Sequence, residues 1–390
     1  MRQDGFDFNE RPFVVVWEMT QACDLACKHC RASAQPLRHA DELDTREAER
    51  LIDQIADMEA GVLVLSGGDP MKREDVFHLV RYGHERGVRM AMTPSVTPLL
   101  TDDAIHRLAR EGLSQFAVSL DGSCARIHDE FRGFEGAYAR TMEVIRVARE
   151  AGLPVQINTT VCRSNLADLP AMADLLARLD IVLWSVFFLV PVGRGQAEQR
   201  IAPEEYEQVF ELLWSLRQRV PFKIKSTEAP HYRRFMLQKL KAARARGEGS
   251  GFGVQGSGEE DKETRGQGDK GIQDLGGGGT EGRRNSTSGP GPGYESINLN
   301  DGRGFVFISH TGEVFPSGFL AVSVGNVRTT SLAELYRNTP LMRDLRNSNL
   351  LGGKCGICEF RNVCGGSRAR SWALTGDPLA PEPDCTYQPH

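Results

Sequence analysis

Short apolar runs alternating with segments of helical periodicity set the tightest limit on how this chain can fold. Phe13–Glu18 is rich in β-branched and aromatic residues. A helix follows, with Asp44 at the N-cap position and Glu47 three residues on, the spacing of a capping box. Its apolar residues Ala48, Leu51, Ile52, Ile55 and Met58 recur with a period of about 3.6. Further strand-like runs are Val62–Leu65, Arg89–Met92, Phe116–Leu120, Val155–Val161 and Val182–Leu189, with helical segments near 73–86, 101–111, 136–151 and 165–179. This alternation predicts an α/β fold with a parallel sheet built from βαβ crossovers. Near-continuous apolar strands predict that both faces are covered. An open doubly wound sheet and a barrel both satisfy the pattern, and in either the chemistry sits at the C-terminal ends of the strands.

Seven of the nine cysteines fall into two spaced groups, Cys23, Cys27, Cys30 and Cys355, Cys358, Cys364, Cys385. The polar segment Met1–Glu10 does not read as a secretory signal, so a cytoplasmic location is expected. In that setting such spacing points to metal ligation rather than disulfides. Cys124 and Cys162 stand apart and read as buried free thiols. The apolar run Val182–Val192 contains Trp184 and Ser185 and is too short for a bilayer, which needs about 20 residues, so no membrane partner is expected. A net charge of −5 gives no electrostatic basis for nucleic acid binding.

Cys23, Cys27 and Cys30 would place three thiolates on the loop directly after the first strand. A cubane cluster normally takes four cysteines, so three leave one iron open, as a substrate-binding metal centre requires. On spacing alone, a zinc site or a cluster completed from elsewhere in the chain remains open. Cys-x3-Cys-x2-Cys in this position resembles the radical SAM superfamily. The resemblance implies a [4Fe–4S] cluster that chelates S-adenosylmethionine (SAM) and cleaves it reductively. The resulting 5′-deoxyadenosyl radical abstracts hydrogen from substrate. It also implies a partial (β/α)6 barrel. The resemblance covers roughly residues 12–195, within a core domain expected at 12–225.

Further segments carry the resemblance. Ser66-Gly67-Gly68-Asp69-Pro70 is similar to the Gly-Gly-Glu-Pro motif that holds the SAM amino group, with Asp69 one methylene shorter than the usual Glu. Ser119-Leu120-Asp121-Gly122 resembles the family's Ser-x-Asp-Gly segment, and Arg132 matches an arginine near the SAM carboxylate. A surface salt bridge is the plain alternative for Arg132. Ser95, after the third strand, either faces SAM or serves a turn. His29 reads as loop packing near the adenine.

Residues 247–293 are dominated by Gly, Ser and charged residues and read as a disordered insert. Beyond it, in a domain expected at 294–390, Gly304–Ile308 and Glu313–Phe315 flank the turn signal His310-Thr311-Gly312 and read as a hairpin. Ser331 is expected to cap a helix running through Arg346. Cys355-x2-Cys358-x5-Cys364, followed by Cys385, resembles the SPASM extension of radical SAM enzymes. Two positions that usually carry ligands there are Ser317 and Ser367. The resemblance therefore implies one auxiliary [4Fe–4S] cluster with four protein ligands, a structural zinc being the alternative.

Gly365–Arg370 and Trp372–Asp377 are similar to radical SAM enzymes of heme and heme d1 biosynthesis, which remove or modify carboxylate-bearing side chains of iron porphyrins. Arg368 and Arg370 either meet substrate carboxylates or, the favoured reading, pair with acidic residues of the chain. The implied substrate is a tetrapyrrole, with a ferredoxin or flavodoxin as electron donor. A peptide substrate is the alternative, since peptide maturases share the extension. From another class, a non-catalytic iron–sulfur or SAM-binding regulator is the third reading.

Overall fold

The structure is a computed structural model and describes residues 6–246 and 298–390. The insert expected at 247–293 lies outside the described residues. Seven parallel strands run in chain order: β1 (Val14–Glu18), β2 (Val62–Ser66), β3 (Met90–Met92), β4 (Gln115–Ser119), β5 (Val155–Val161), β6 (Leu183–Phe188) and β7 (Lys223–Thr227). The connecting helices are α1 (Thr45–Asp57), α2 (Val76–Glu85), α3 (Asp102–Arg110), α4 (Ala125–Arg132), α5 (Ala137–Glu150), α6 (Leu169–Leu176) and α7 (Pro203–Leu216), and α8 (His231–Ala245) follows β7. The expected capping box forms: Asp44 Oδ1 accepts from the Glu47 amide at 2.8 Å, and Glu47 Oε2 accepts from the Asp44 amide at 2.9 Å.

The sheet does not end at β1. After β8 (Asn300–Asp301), β9 (Gly304–Ile308) pairs parallel with β1, Val14 opposite Phe305. β10 (Glu313–Phe315) returns antiparallel to β9 and pairs with β11 (Gly325–Asn326), so the expected hairpin is present. The described strands thus form an open sheet from β11 to β7, with β1 inside it rather than at its edge.

The two faces of the sheet are covered differently. Val15, Trp17, Leu63, Leu65, Phe116 and Val118 pack with the helices in one continuous core. On the other face Val14, Val62 and Ala91 meet Leu299, Phe8 and Phe13, which close the N-terminal ends of the strands. The C-terminal ends on that face stay open for a cavity.

The structure departs from the sequence reading in several places, β7, α7 and α8 among them, which that reading did not include. The segment around His128 and Arg132 folds as α4, ended by Gly133 in the left-handed conformation (φ 66°). Its few apolar residues, Ile127 and Phe131, leave little periodic signal. The helix after Ser331 is two helices, α9 (Leu332–Asn338) and α10 (Pro340–Arg346). Pro340 lacks an amide donor and restricts Thr339 to extended backbone, so the helix breaks there. Cys124 is exposed rather than buried, because it precedes α4 on the surface, whereas Cys162 is buried as expected. Two further short helices, α11 (Gly353–Ile357) and α12 (Arg368–Thr375), carry parts of the second cysteine group and its flank. No helix among the described residues is long and apolar enough to cross a membrane.

Candidate active site

A cavity of about 230 Å³ opens at the C-terminal ends of the strands. Cys23, Cys27 and Cys30 line it from the loop after β1, and that loop is pinned by the Cys23 amide on Gln35 O (2.8 Å) and the Gln35 amide on Gln21 O (2.9 Å). Of the residues singled out in the sequence, Gly67, Gly68, Ser95, Ser119 and Arg132 also line the cavity. Asp69, Pro70 and Asp121 do not.

Gly67 and Gly68 are needed against protein rather than open space. A Cβ on Gly67, whose φ is +135°, would lie 2.4 Å from Thr20 O, and one on Gly68 would lie 2.3 Å from Ala22 O. The bare backbone lets the Gly68 and Asp69 amides bond Thr20 O and Ala22 O, each at 2.7 Å. The end of β2 thereby fixes the cysteine loop. Asp69 turns away from the cavity: Oδ2 accepts from Thr97 Oγ1 at 2.6 Å and Oδ1 from the Met71 amide at 3.1 Å. Burial pushes its carboxyl pKa up. Each Asp69 oxygen thus accepts one hydrogen bond that holds the turn after β2. Ser95 faces the site, its hydroxyl donating to Gly68 O at 2.7 Å and lying 3.3 Å from Cys23 Sγ.

Arg132 projects from the last turn of α4 into the cavity wall. Nη2 pairs with Asp121 Oδ2 at 2.5 Å and Nη1 lies 3.7 Å from Cys27 Sγ. Asp121 is fully buried and also accepts from the Thr160 amide at 2.7 Å. Burial raises its pKa, and Arg132 opposes that. His128 accepts from the Asp121 amide through Nδ1 at 3.0 Å. Burial and the nearby Arg132 push the His128 pKa down to about 3, so the ring is neutral. His29 lines the cavity with its ring 4.3 Å from that of Phe131, consistent with a packing role.

Sequence reading missed other parts of the wall. Asn158 and Thr160 of β5 point inward, signalled only by alternation along Val155–Val161. Glu18, at the end of β1, accepts from Arg31 Nη2 at 2.5 Å and meets His310 Nδ1 at 2.9 Å. Burial works to raise its pKa, but Arg31 and His310 hold it below the usual carboxylate value. This triad ties the cysteine loop to the β9–β10 turn across nearly the whole chain length.

Cys355, Cys358, Cys364 and Cys385 line a second, smaller cavity together with His231 and Arg234. Arg368 and Arg370 do not reach either cavity as free cations. Arg370 pairs with Glu382 at 3.1 Å and Asp384 at 3.2 Å, and Arg368 donates to Pro378 O and Ala380 O at 3.0 and 2.8 Å. Both hold the returning segment that delivers Cys385. The hydroxyl of Ser367 donates to Glu228 at 2.6 Å, and that of Ser317 accepts from the Leu320 amide at 3.2 Å. Among the described residues, no three His, Cys, Asp or Glu side chains converge closely enough for one ion.

Thiols on the loop after the first parallel strand, a glycine-rich second strand end and an arginine in the cavity wall define a SAM-dependent radical enzyme. The chain belongs to the radical SAM superfamily, whose sequence pattern matches residues 17–176. The family uses a [4Fe–4S] cluster and SAM. The chain is similar to the AdoMet-dependent heme synthase of Methanosarcina barkeri (strain Fusaro), with 38% identity over 380 residues and 97% of each chain covered. It is also 27% identical to the pre-heme d1 synthase of Dinoroseobacter shibae, covering 95% of this chain and 85% of that one. Among solved structures, Streptococcus suis SuiB bound to precursor peptide SuiA shares the fold, with a TM-score of 0.70 at 16% identity, covering 97% of this chain and 76% of that one.

Proposed function

We propose that this chain is a SAM-dependent heme-forming enzyme that modifies carboxylate-bearing side chains of an iron porphyrin. The observation that carries the substrate class is 38% identity over 97% of the chain to a heme synthase. Cys23, Cys27 and Cys30 would hold the SAM cluster, and their donor set fits it: three soft thiols on one loop beside an open cavity. When bound, that group supplies reductive cleavage of SAM and the radical that follows. Arg132 would pair the SAM carboxylate, its orientation set by Asp121. Gly67, Gly68, Ser95 and Ser119 would shape the wall that orients SAM and excludes water.

Cys355, Cys358, Cys364 and Cys385 would hold one auxiliary [4Fe–4S] cluster. Four thiols around one cavity fit that group, and a structural zinc, which four thiolates suit equally, is the outcome that metal analysis separates from it. Complete protein ligation favours electron transfer over substrate binding there. On this reading the core domain would span 12–225 and the auxiliary domain 294–390, in a cytoplasmic protein that would be served by a ferredoxin or flavodoxin.

The test is anaerobic reconstitution followed by iron, sulfide and zinc analysis, then reaction with SAM, dithionite and Fe-coproporphyrin III. About eight irons, as two cubanes require, with 5′-deoxyadenosine and heme produced together, is the expected result. A Cys23/Cys27/Cys30→Ala variant should keep about four irons and release no 5′-deoxyadenosine. SAM cleavage without any porphyrin product would return the substrate to a peptide. No SAM cleavage in the intact protein would make it a regulator.

A further inference from the structure

We propose that His231 donates a hydrogen bond to the auxiliary cluster and, with Arg234, raises that cluster's reduction potential. The proposal rests on the reading that Cys355, Cys358, Cys364 and Cys385 hold a [4Fe–4S] cluster. His231 is the first residue of α8 and has no solvent exposure. Neither ring nitrogen has a hydrogen-bond partner among the described residues. Its ring packs beside Tyr206 at 5.2 Å and Phe210 at 4.9 Å, which fix it without offering a hydrogen bond. The remaining direction is the cavity that the four cysteines line.

A neutral imidazole carries one N–H donor and one acceptor. Leaving a buried donor unmet costs its full desolvation penalty, so the protein gains by placing an acceptor opposite it. A cysteine thiolate or a cluster sulfide is such an acceptor. The cavity wall adds two more donors. Arg234 spends its terminal nitrogens on Glu207 and Gln238 (2.9 Å to the latter) but leaves Nε without a partner. Arg361, on the same wall, also leaves Nε unmet. Three buried donors therefore border one thiol-lined space.

Donors near cluster sulfurs stabilise the reduced, more negative state over the oxidised one, which raises the potential. His231 is thus a positioning and tuning residue rather than a ligand. Its counterpart without a donor, His231→Phe, keeps an aromatic ring to pack against Tyr206 and Phe210. His231→Gln restores an N–H.

The experiment is an EPR-monitored redox titration of the full-length, doubly reconstituted protein. The auxiliary signal is identified by its survival in the Cys23/Cys27/Cys30→Ala variant, and the SAM-cluster signal serves as internal reference. The expected result for His231→Phe is unchanged iron with the auxiliary midpoint shifted negative. A tenfold weaker reduction equilibrium corresponds to about 59 mV for one electron. His231→Gln should recover much of the shift. An unmoved midpoint in His231→Phe, with iron retained, overturns the inference. Loss of about four irons in both variants also overturns it, making His231 a ligand or a folding residue. Zinc in the second site of the unaltered protein would instead sink the underlying cluster reading.

Discussion

Arg132 bridges Asp121 and Cys27, with one guanidinium nitrogen 2.5 Å from Asp121 Oδ2 and the other 3.7 Å from Cys27 Sγ. The pair is buried: Asp121 has no exposure and the Arg132 side chain is 13% exposed. Removing one member of such a pair leaves the other charge uncompensated, which costs about 3–5 kcal/mol. Arg132→Met should therefore lower the urea midpoint strongly. The double variant Arg132→Met/Asp121→Asn should recover part of the loss. Equal midpoints for Arg132→Met and the unaltered protein would show that the pair contributes nothing to stability.

Gly68→Ala tests the close approach of the second strand end to the cysteine loop. The added methyl would fall 2.3 Å from Ala22 O and 2.6 Å from Gln21 O, both backbone atoms that cannot rotate away. The loop must shift, and about four irons should be lost on reconstitution. Gly87→Ala is the control: its φ is +77° with nothing within 4 Å, so only the backbone penalty of about 1–2 kcal/mol applies. Normal iron content in Gly68→Ala would remove the argument for a tight glycine contact.

His128 predicts a pH dependence. Its ordinary pKa of 6.5 falls to about 3 in the folded chain, through burial and Arg132. Below pH 6.5 the unfolded chain takes a proton that the folded one refuses. The stability from keeping this ring neutral is present above pH 6.5 and is lost as pH falls towards 3. The slope approaches about 1.4 kcal/mol per pH unit. His128→Asn, which keeps an acceptor for the Asp121 amide, should flatten denaturation midpoints measured between pH 7 and 5, a range of about two units set by the histidine titration. Parallel profiles for the two proteins would assign the pH dependence elsewhere.

Cys124 and Cys162 differ in exposure and should differ in reactivity. Cys124 is exposed, whereas Cys162 is 4% exposed, and burial raises its thiol pKa. In the reconstituted protein, iodoacetamide should label Cys124 first and Cys162 only on unfolding. Cys124→Ser should leave the iron content unchanged. Peptide mapping that finds Cys162 modified first would contradict the placement of both residues.

Periodicity and spacing were enough to expect six of the parallel strands, because strand and helix patterns are local. The capping box at Asp44 and Glu47 and the hairpin around His310–Gly312 were legible for the same reason. The two cysteine groups were visible as two clusters along the chain, and each lines its own cavity. What lay across the chain was not legible. β9 joins β1 through hydrogen bonds between residues nearly 300 positions apart, and no local pattern encodes that pairing. His310 reaches Glu18, 292 positions away, at the β9–β10 turn beside that pairing. β7, Lys223–Thr227, alternates lysines with few apolar residues and gave no strand signal, yet β6 supplies the partner it needs. Asp69 matched a motif by position, but Thr97 and the Met71 amide decide where its oxygens point. Arg368 and Arg370 offered charges for either a substrate or the chain itself, and the fold places Glu382, Asp384 and two carbonyls against them. Sequence fixes which groups are available and their local conformation; which of them meet depends on packing across the sheet, where burial forces each polar group to find a partner.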